Sequence, residues 1–162
     1  MAVDIYLQLP GIPGASVERD HEDWIEVRSA SWGVEQAGAG PGGPGGGPGR
    51  VGRATQHPLV VTAATSIASP LIFEAITKGT NLPTAELEVV RRSDGRGAVV
   101  VRWEFAEVRL MRLDVSGAEA GFDDVFEIVA KRARLSVVPV DDRGGAGQPV
   151  TRGWDFATHQ AW

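Results

Sequence analysis

At 162 residues and 43% hydrophobic side chains, the chain has the length of one domain and enough apolar surface to build a core. Its 16 basic residues are scattered among 21 acidic ones for a formal net charge of -5, so no basic stripe exists to release counterions from a phosphate backbone, and nucleic acid is excluded as an expected partner. Cysteine is absent, which removes disulfides, thiolate nucleophiles and thiolate metal sites together and leaves the chain indifferent to redox compartment.

Val3, Ile5, Leu7 and Leu9 alternate with Asp4, Tyr6 and Gln8, the period of two that marks a strand with one buried face. Asp4 and the lack of a basic leader argue against a cleaved signal peptide, and no apolar run nears the roughly 18 to 20 residues that span a bilayer, so no membrane insertion is expected. Pro10, Gly11, Pro13 and Gly14 end the strand. A second strand is predicted over residues 24–36, with Ile25, Val27, Ser29 and Ser31 on one face and Trp24, Glu26, Arg28, Ala30 and Trp32 on the other. Neither face is wholly apolar, so both are expected to meet something besides a single core.

Residues 37–52 hold nine Gly and three Pro among 16 positions, too little apolar area to offset their ordering entropy, and are predicted to form a long mobile loop. Residues 59–62 read as a short strand. Ser69-Pro70 followed by Leu71, Ile72, Ala75 and Ile76 reads as a helix with Ser69 as N-cap, Pro70 in the first turn and Gly79 just past the end. Ala85, Leu87 and Val89 then alternate with Glu86 and Glu88, and Ser93-Asp94-Gly95 turns the chain into a long strand over residues 98–115. Inside that strand the apolar phase moves from Val101, Trp103 and Phe105 to Ala106, Val108 and Leu110, which requires a bulge or bend. The next strand hands over likewise, from Phe126, Ile128 and Ala130 to Ala133, Leu135 and Val137, as expected where a sheet curls to close. A polar turn at residues 141–147 and a short strand at 150–156 complete a mainly β outline with one helix.

The segment His21-Glu-Asp-Trp-Ile25-Glu-Val27-Arg-Ser29-Ala-Ser31-Trp32-Gly33 resembles the signature of the haemolysin-coregulated protein (Hcp) family, in which an Ile-x-Val strand leads into Ser-Trp-Gly. The Met-Ala-Val-Asp start, the Gly-rich segment after the signature strand and the late Gly153-Trp154-Asp155 lie in the family's order, so the resemblance covers nearly the whole chain as a single domain, residues 1–162. It implies a β-barrel of two antiparallel sheets with a flanking α-helix, assembled into stacked homohexameric rings that form the inner tube of a type VI secretion apparatus. It implies Ser29 and Ser31 bordering a lumen that holds effector proteins, Gly40, Gly43, Gly46 and Pro48 in a loop that contacts the stacked ring, and Trp32, Gly33, Gly153 and Trp154 as structural motif residues. Sheath and spike proteins are the further partners implied. Assembly is expected in the bacterial cytoplasm, followed by export to the outside or a target cell, and no toxic domain is expected beyond Trp162. A stand-alone ring-shaped chaperone or secreted binding module, outside a complete secretion system, is the alternative.

The residues point to no catalytic, cofactor or metal site. Residues 38–43 match G-x-G-x-x-G, but a dinucleotide site needs that turn between a strand and a helix N-terminus, and low complexity accounts for the match. His21, His57 and His159 lack metal-site spacing. Asp123-Asp124 and Asp141-Asp142 are read as pairs that solvate loops and not as acid/base machinery, and no Gly-x-Ser-x-Gly elbow surrounds Ser29 or Ser31. Trp32, Trp103 and Trp154 are expected as core or interface anchors; a carbohydrate-binding module would need them exposed along one face.

Overall fold

The computed structural model describes residues 2–38 and 51–162. Its elements in chain order are β1 Val3–Gln8, β2 Ile25–Gly38, β3 Val51–Ala64, α1 Ala68–Lys78, β4 Asn81–Ser93, β5 Arg96–Ala118, β6 Gly121–Val137, β7 Val150–Asp155 and β8 Gln160–Ala161. The strands follow the order β3-β2-β1-β4-β5-β6-β7-β8, with a further β3–β6 pairing, and every pairing is antiparallel. That seam, from Leu59 opposite Ile128 to Ala64 opposite Asp123, closes six strands into a barrel, so its two walls form one continuous hydrogen-bonded sheet. Closure removes exposed edges from the barrel itself.

The interior is filled from every wall: Leu7 of β1, Val61 of β3, Leu87 of β4, Val108 of β5 and Phe126 of β6 are almost wholly shielded. Helix α1 lies against the sheet through Ala68, Ile72 and Ala75, at helical spacing. Its start differs from the sequence reading. Ile67 occupies the N-cap position, and the capping work falls to Ser66, whose hydroxyl accepts from Ala68 N–H while its own N–H donates to Ser69 Oγ at 2.9 Å. Ser69 is therefore inside the helix. Its hydroxyl donates to Asp124, which also accepts from Thr65 at 2.7 Å. Asp124 is buried and pins the helix to β6, instead of solvating a loop; only its neighbour Asp123 reaches outward, to Arg28. At the other end Gly79 takes the left-handed conformation of a C-terminal cap.

The predicted bends are present. In β5 the adjacent Phe105 and Ala106 are both buried, and Glu107 adopts φ of +53° before Val108 and Leu110 return to the interior. In β6 the buried set Asp124, Phe126 and Ile128 gives way to Ala133, where β6 exchanges β3 for β7. Asp94 and Gly95 both have positive φ, as a two-residue type I′ hairpin demands.

Three expectations need correction. Strand β2 runs to Gly38 and β3 begins at Val51, pairing with each other through that register, so the ends of the 37–52 segment are strand; Gly40, Gly43, Gly46 and Pro48 lie outside the described residues. The short strand at 59–62 is the inner end of a 14-residue β3. Its outer half exposes Arg53, Thr55 and His57, with no strongly apolar face to reveal it, and pairing with β2 holds it. Finally, a register shift between Val27 and Ser29 makes Arg28 and Ser29 consecutive exposed residues. Ile25 and Val27 face the core, but the phase then flips: Ala30 and Trp32 pack on the core while Ser29 and Ser31 are exposed outside. The serines do not share a face with Ile25 and Val27, because a bulge shifts the alternation by one.

Candidate functional site

Beyond Ile128 strand β6 leaves β3, and from Arg132 it pairs with β7. The base of this fork is tied by the Gln56 side-chain amide, which donates to the Ala130 carbonyl. Between the β2–β3 arm and β7 the fork opens into a groove of about 580 Å³ lined by Trp32, Val34, Leu135, Arg152, Trp154 and Phe156. The two sequence motifs, 120 residues apart, thus meet in one groove. Trp32 presents its ring edge to Phe105 at 6.0 Å, and its Nε1 is shielded without a hydrogen-bond partner. Trp154 stands opposite Ala133 in β6 and is 37% exposed.

The motif glycines serve close approach. A Cβ on Gly153 would lie 2.4 Å from the Trp162 carbonyl and 3.2 Å from that of Ala133. Only glycine lets the C-terminal residue fold back, where Trp162 N–H donates to Gly153 at 3.1 Å and its ring receives the Arg134 guanidinium at 4.2 Å. Gly33 stands opposite His57, whose ring would sit 3.3 Å from an added Cβ. Ser29 and Ser31 are opposite Thr62 and Val60, on the exposed outer wall. Trp103 packs half-buried against the core.

A buried polar cluster escaped the sequence reading. His21 is 4% exposed, its Nδ1 2.6 Å from Glu18 and its Nε2 2.6 Å from Glu88. The ring stacks on Tyr6 at 4.3 Å and meets Trp24 edge-on at 4.8 Å. Glu88, itself buried, also accepts from Arg102 Nε at 2.6 Å. Burial alone would raise the Glu88 carboxyl, but the hydrogen bonds from His21 and Arg102 outweigh it and hold it below the usual range. The His21 hydrogen bond likewise lowers Glu18. Glu86 moves the other way, pushed up first by desolvation and then by its contact with Glu88. The cluster ties the segment between β1 and β2 onto β4 and β5. Only the spacing Glu18-x-x-His21 hinted at it. Among the described residues no group of three His, Asp or Glu side chains is placed to hold a metal ion.

Residues 6–137 match the family model described as "Type VI secretion system effector, Hcp". The chain belongs to the Hcp family. Among solved structures, one titled a type six secretion system protein shares 28% identity with a TM-score of 0.92, covering 99% of this chain and 100% of that one. Hcp1 from Salmonella typhimurium shares 24% identity with a TM-score of 0.80, each chain covered in full. An Hcp1 mutant from E. coli EAEC 042 shares 18% identity, TM-score 0.73, over 96% and 99%. Comparison with curated protein sequences gives no match. The Hcp fold thus accommodates wide sequence divergence around the same barrel.

Proposed function

We propose that the chain is a structural subunit of a type VI secretion inner tube: six copies close into a ring, rings stack, and the lumen carries effector proteins for export. The observation that carries this reading is the family match over residues 6–137, joined to a barrel that superposes along its whole length on a type six secretion system protein. The role is one of assembly and conduction and not of catalysis. Ring stacking is assigned to the segment with Gly40, Gly43, Gly46 and Pro48, and the wall bearing Ser29 and Ser31 to the lumen. Their small hydroxyls on an exposed strand face suit a surface that holds varied cargo without gripping it. Sheath and spike proteins of the apparatus are the remaining partners. The ring assembles in the bacterial cytoplasm and leaves through the apparatus.

Light scattering on a sizing column, with negative-stain images of the peak, tests this. Six copies of the 17.2 kDa chain give a closed ring of about 103 kDa, and annular particles are expected at that mass. A monomer at all concentrations would remove the tube reading.

A further inference from the structure

A ring of identical subunits needs two different, complementary surfaces on each chain, because head-to-tail contacts join unlike patches. The fold leaves two such patches at opposite ends of β6. One is the fork groove, lined by Trp32, Val34, Leu135 and Trp154. The other is the β5–β6 hairpin, where Val115 is 52% and Phe122 60% exposed. Thr65 N–H donates to the Phe122 carbonyl at 3.0 Å, which brings the exposed Ile67 close to the same tip. The Phe122 ring lies directly over Gly117, where a Cβ would come within 2.3 Å of it, so the knob is held in place before any contact forms. Along β6, Phe122 and Leu135 are separated by roughly 40 Å of extended strand; one chain cannot seat its own knob in its own groove.

Charge matches as well. Among the described residues Glu119, at the tip, and Arg152, in the groove, make no ion pair, and both are exposed. The groove volume of about 580 Å³ is that of an ordinary pocket for a few side chains. We infer that the β5–β6 hairpin of one copy, led by Phe122, seats in the β6-fork groove of the next copy, with Glu119 facing Arg152. This rests on the ring reading and names the surfaces that make it.

The chain has no cysteine, so the contact is testable by placed cysteines. The pair Val34→Cys with Ala120→Cys, which keeps the Phe122 ring, treated with a short bismaleimide and run denatured, is expected to give a ladder of covalent oligomers up to the ring, while each single-cysteine variant stays monomeric. Both positions are exposed, so folding is preserved. Independently, Glu119→Arg is expected to raise the concentration at which rings form by about tenfold, as a rim contact turned repulsive, and Glu119→Arg with Arg152→Glu to restore it. Rings that yield no ladder, dimers from either single cysteine, or a charge reversal with no effect would overturn the inference while the ring reading stands. A cysteine at position 34 that rings protect from maleimide without any ladder would mean another occupant and would overturn it too. A wild-type chain monomeric at every concentration would remove both.

Discussion

Replacing His21 with alanine should destabilise the barrel by about 2 to 4 kcal/mol, more than its place in a connecting segment suggests. The side chain of His21 is 5% exposed and that of Glu88 6%. The substitution removes hydrogen bonds to Glu18 and Glu88 and the stack on Tyr6. Removing one partner of a buried hydrogen bond costs roughly 1 to 3 kcal/mol, more where the group left behind is charged; here Arg102 still holds Glu88, which reduces the penalty, while the deleted ring adds a cavity. For a domain of this size each kcal/mol lowers Tm by about 2 to 4 °C, so a fall of roughly 4 to 16 °C is expected. Urea unfolding of both proteins at one concentration measures it with the contribution of any assembly held equal. The control is His57→Ala, whose side chain is 58% exposed beside Glu35 and whose loss should stay within about 0.5 kcal/mol. If His21→Ala unfolds at the wild-type urea concentration, the cluster is not structural and the reasoning fails.

Glu86 and Glu88, two residues apart on β4, should respond to pH with opposite signs. Glu88 is held below its ordinary value, so its contribution is present above that value and lost as pH falls through the lowered one; Glu88→Gln should therefore cost more at pH 7 than at pH 3, read from urea midpoints. Glu86 is raised, so the stability linked to it is greatest in acid and declines as pH rises through the raised value; Glu86→Gln should leave the protein at least as stable as wild type at pH 7, with the difference shrinking toward pH 4. Gly153→Ala should force the Trp162 carbonyl away from a Cβ placed 2.4 Å from it, costing about 1 to 3 kcal/mol and releasing the C-terminal residues, seen as faster amide exchange at residues 160–162. Ser31→Trp, on an exposed wall, should change stability by less than about 0.5 kcal/mol and leave rings intact, while effectors recovered with the ring decline; unchanged recovery for several effectors would count against the lumen assignment.

Alternation and turn chemistry made most of the barrel legible. The phase changes at Phe105-Ala106 and at Ala130-Ala133 announced curvature, because a flat strand cannot move its apolar set to the other face. The flip at Arg28 was harder to see: Ser29 and Ser31 carry no hydrophobic signal, so nothing marked the extra residue until Ala30 and Trp32 were found inward. The outer half of β3 was hidden because Arg53, Thr55 and His57 read as loop, and its order comes from a partner strand. Asp124 and His21 were hidden for a related reason. Their burial depends on Ser69, Thr65, Glu88 and Arg102, residues dozens of positions away that only the fold brings near. Trp32 and Trp154 could be chosen as motif positions, but their meeting across one groove was not contained in either motif.

The β3–β6 seam also dictates an order of events. The inner half of β3, already paired with β2, must wait for its second partner about sixty to seventy residues later in the chain, and until β6 is in place the barrel is an open sheet with the Val61 side of its core uncovered. Pairings between such distant segments form slowly, since the closure of a long loop precedes the contacts that reward it. The same strand supplies the first half of the hairpin's return, the seam and the platform for β7. Completion of β6 is therefore the step that closes the barrel over its core.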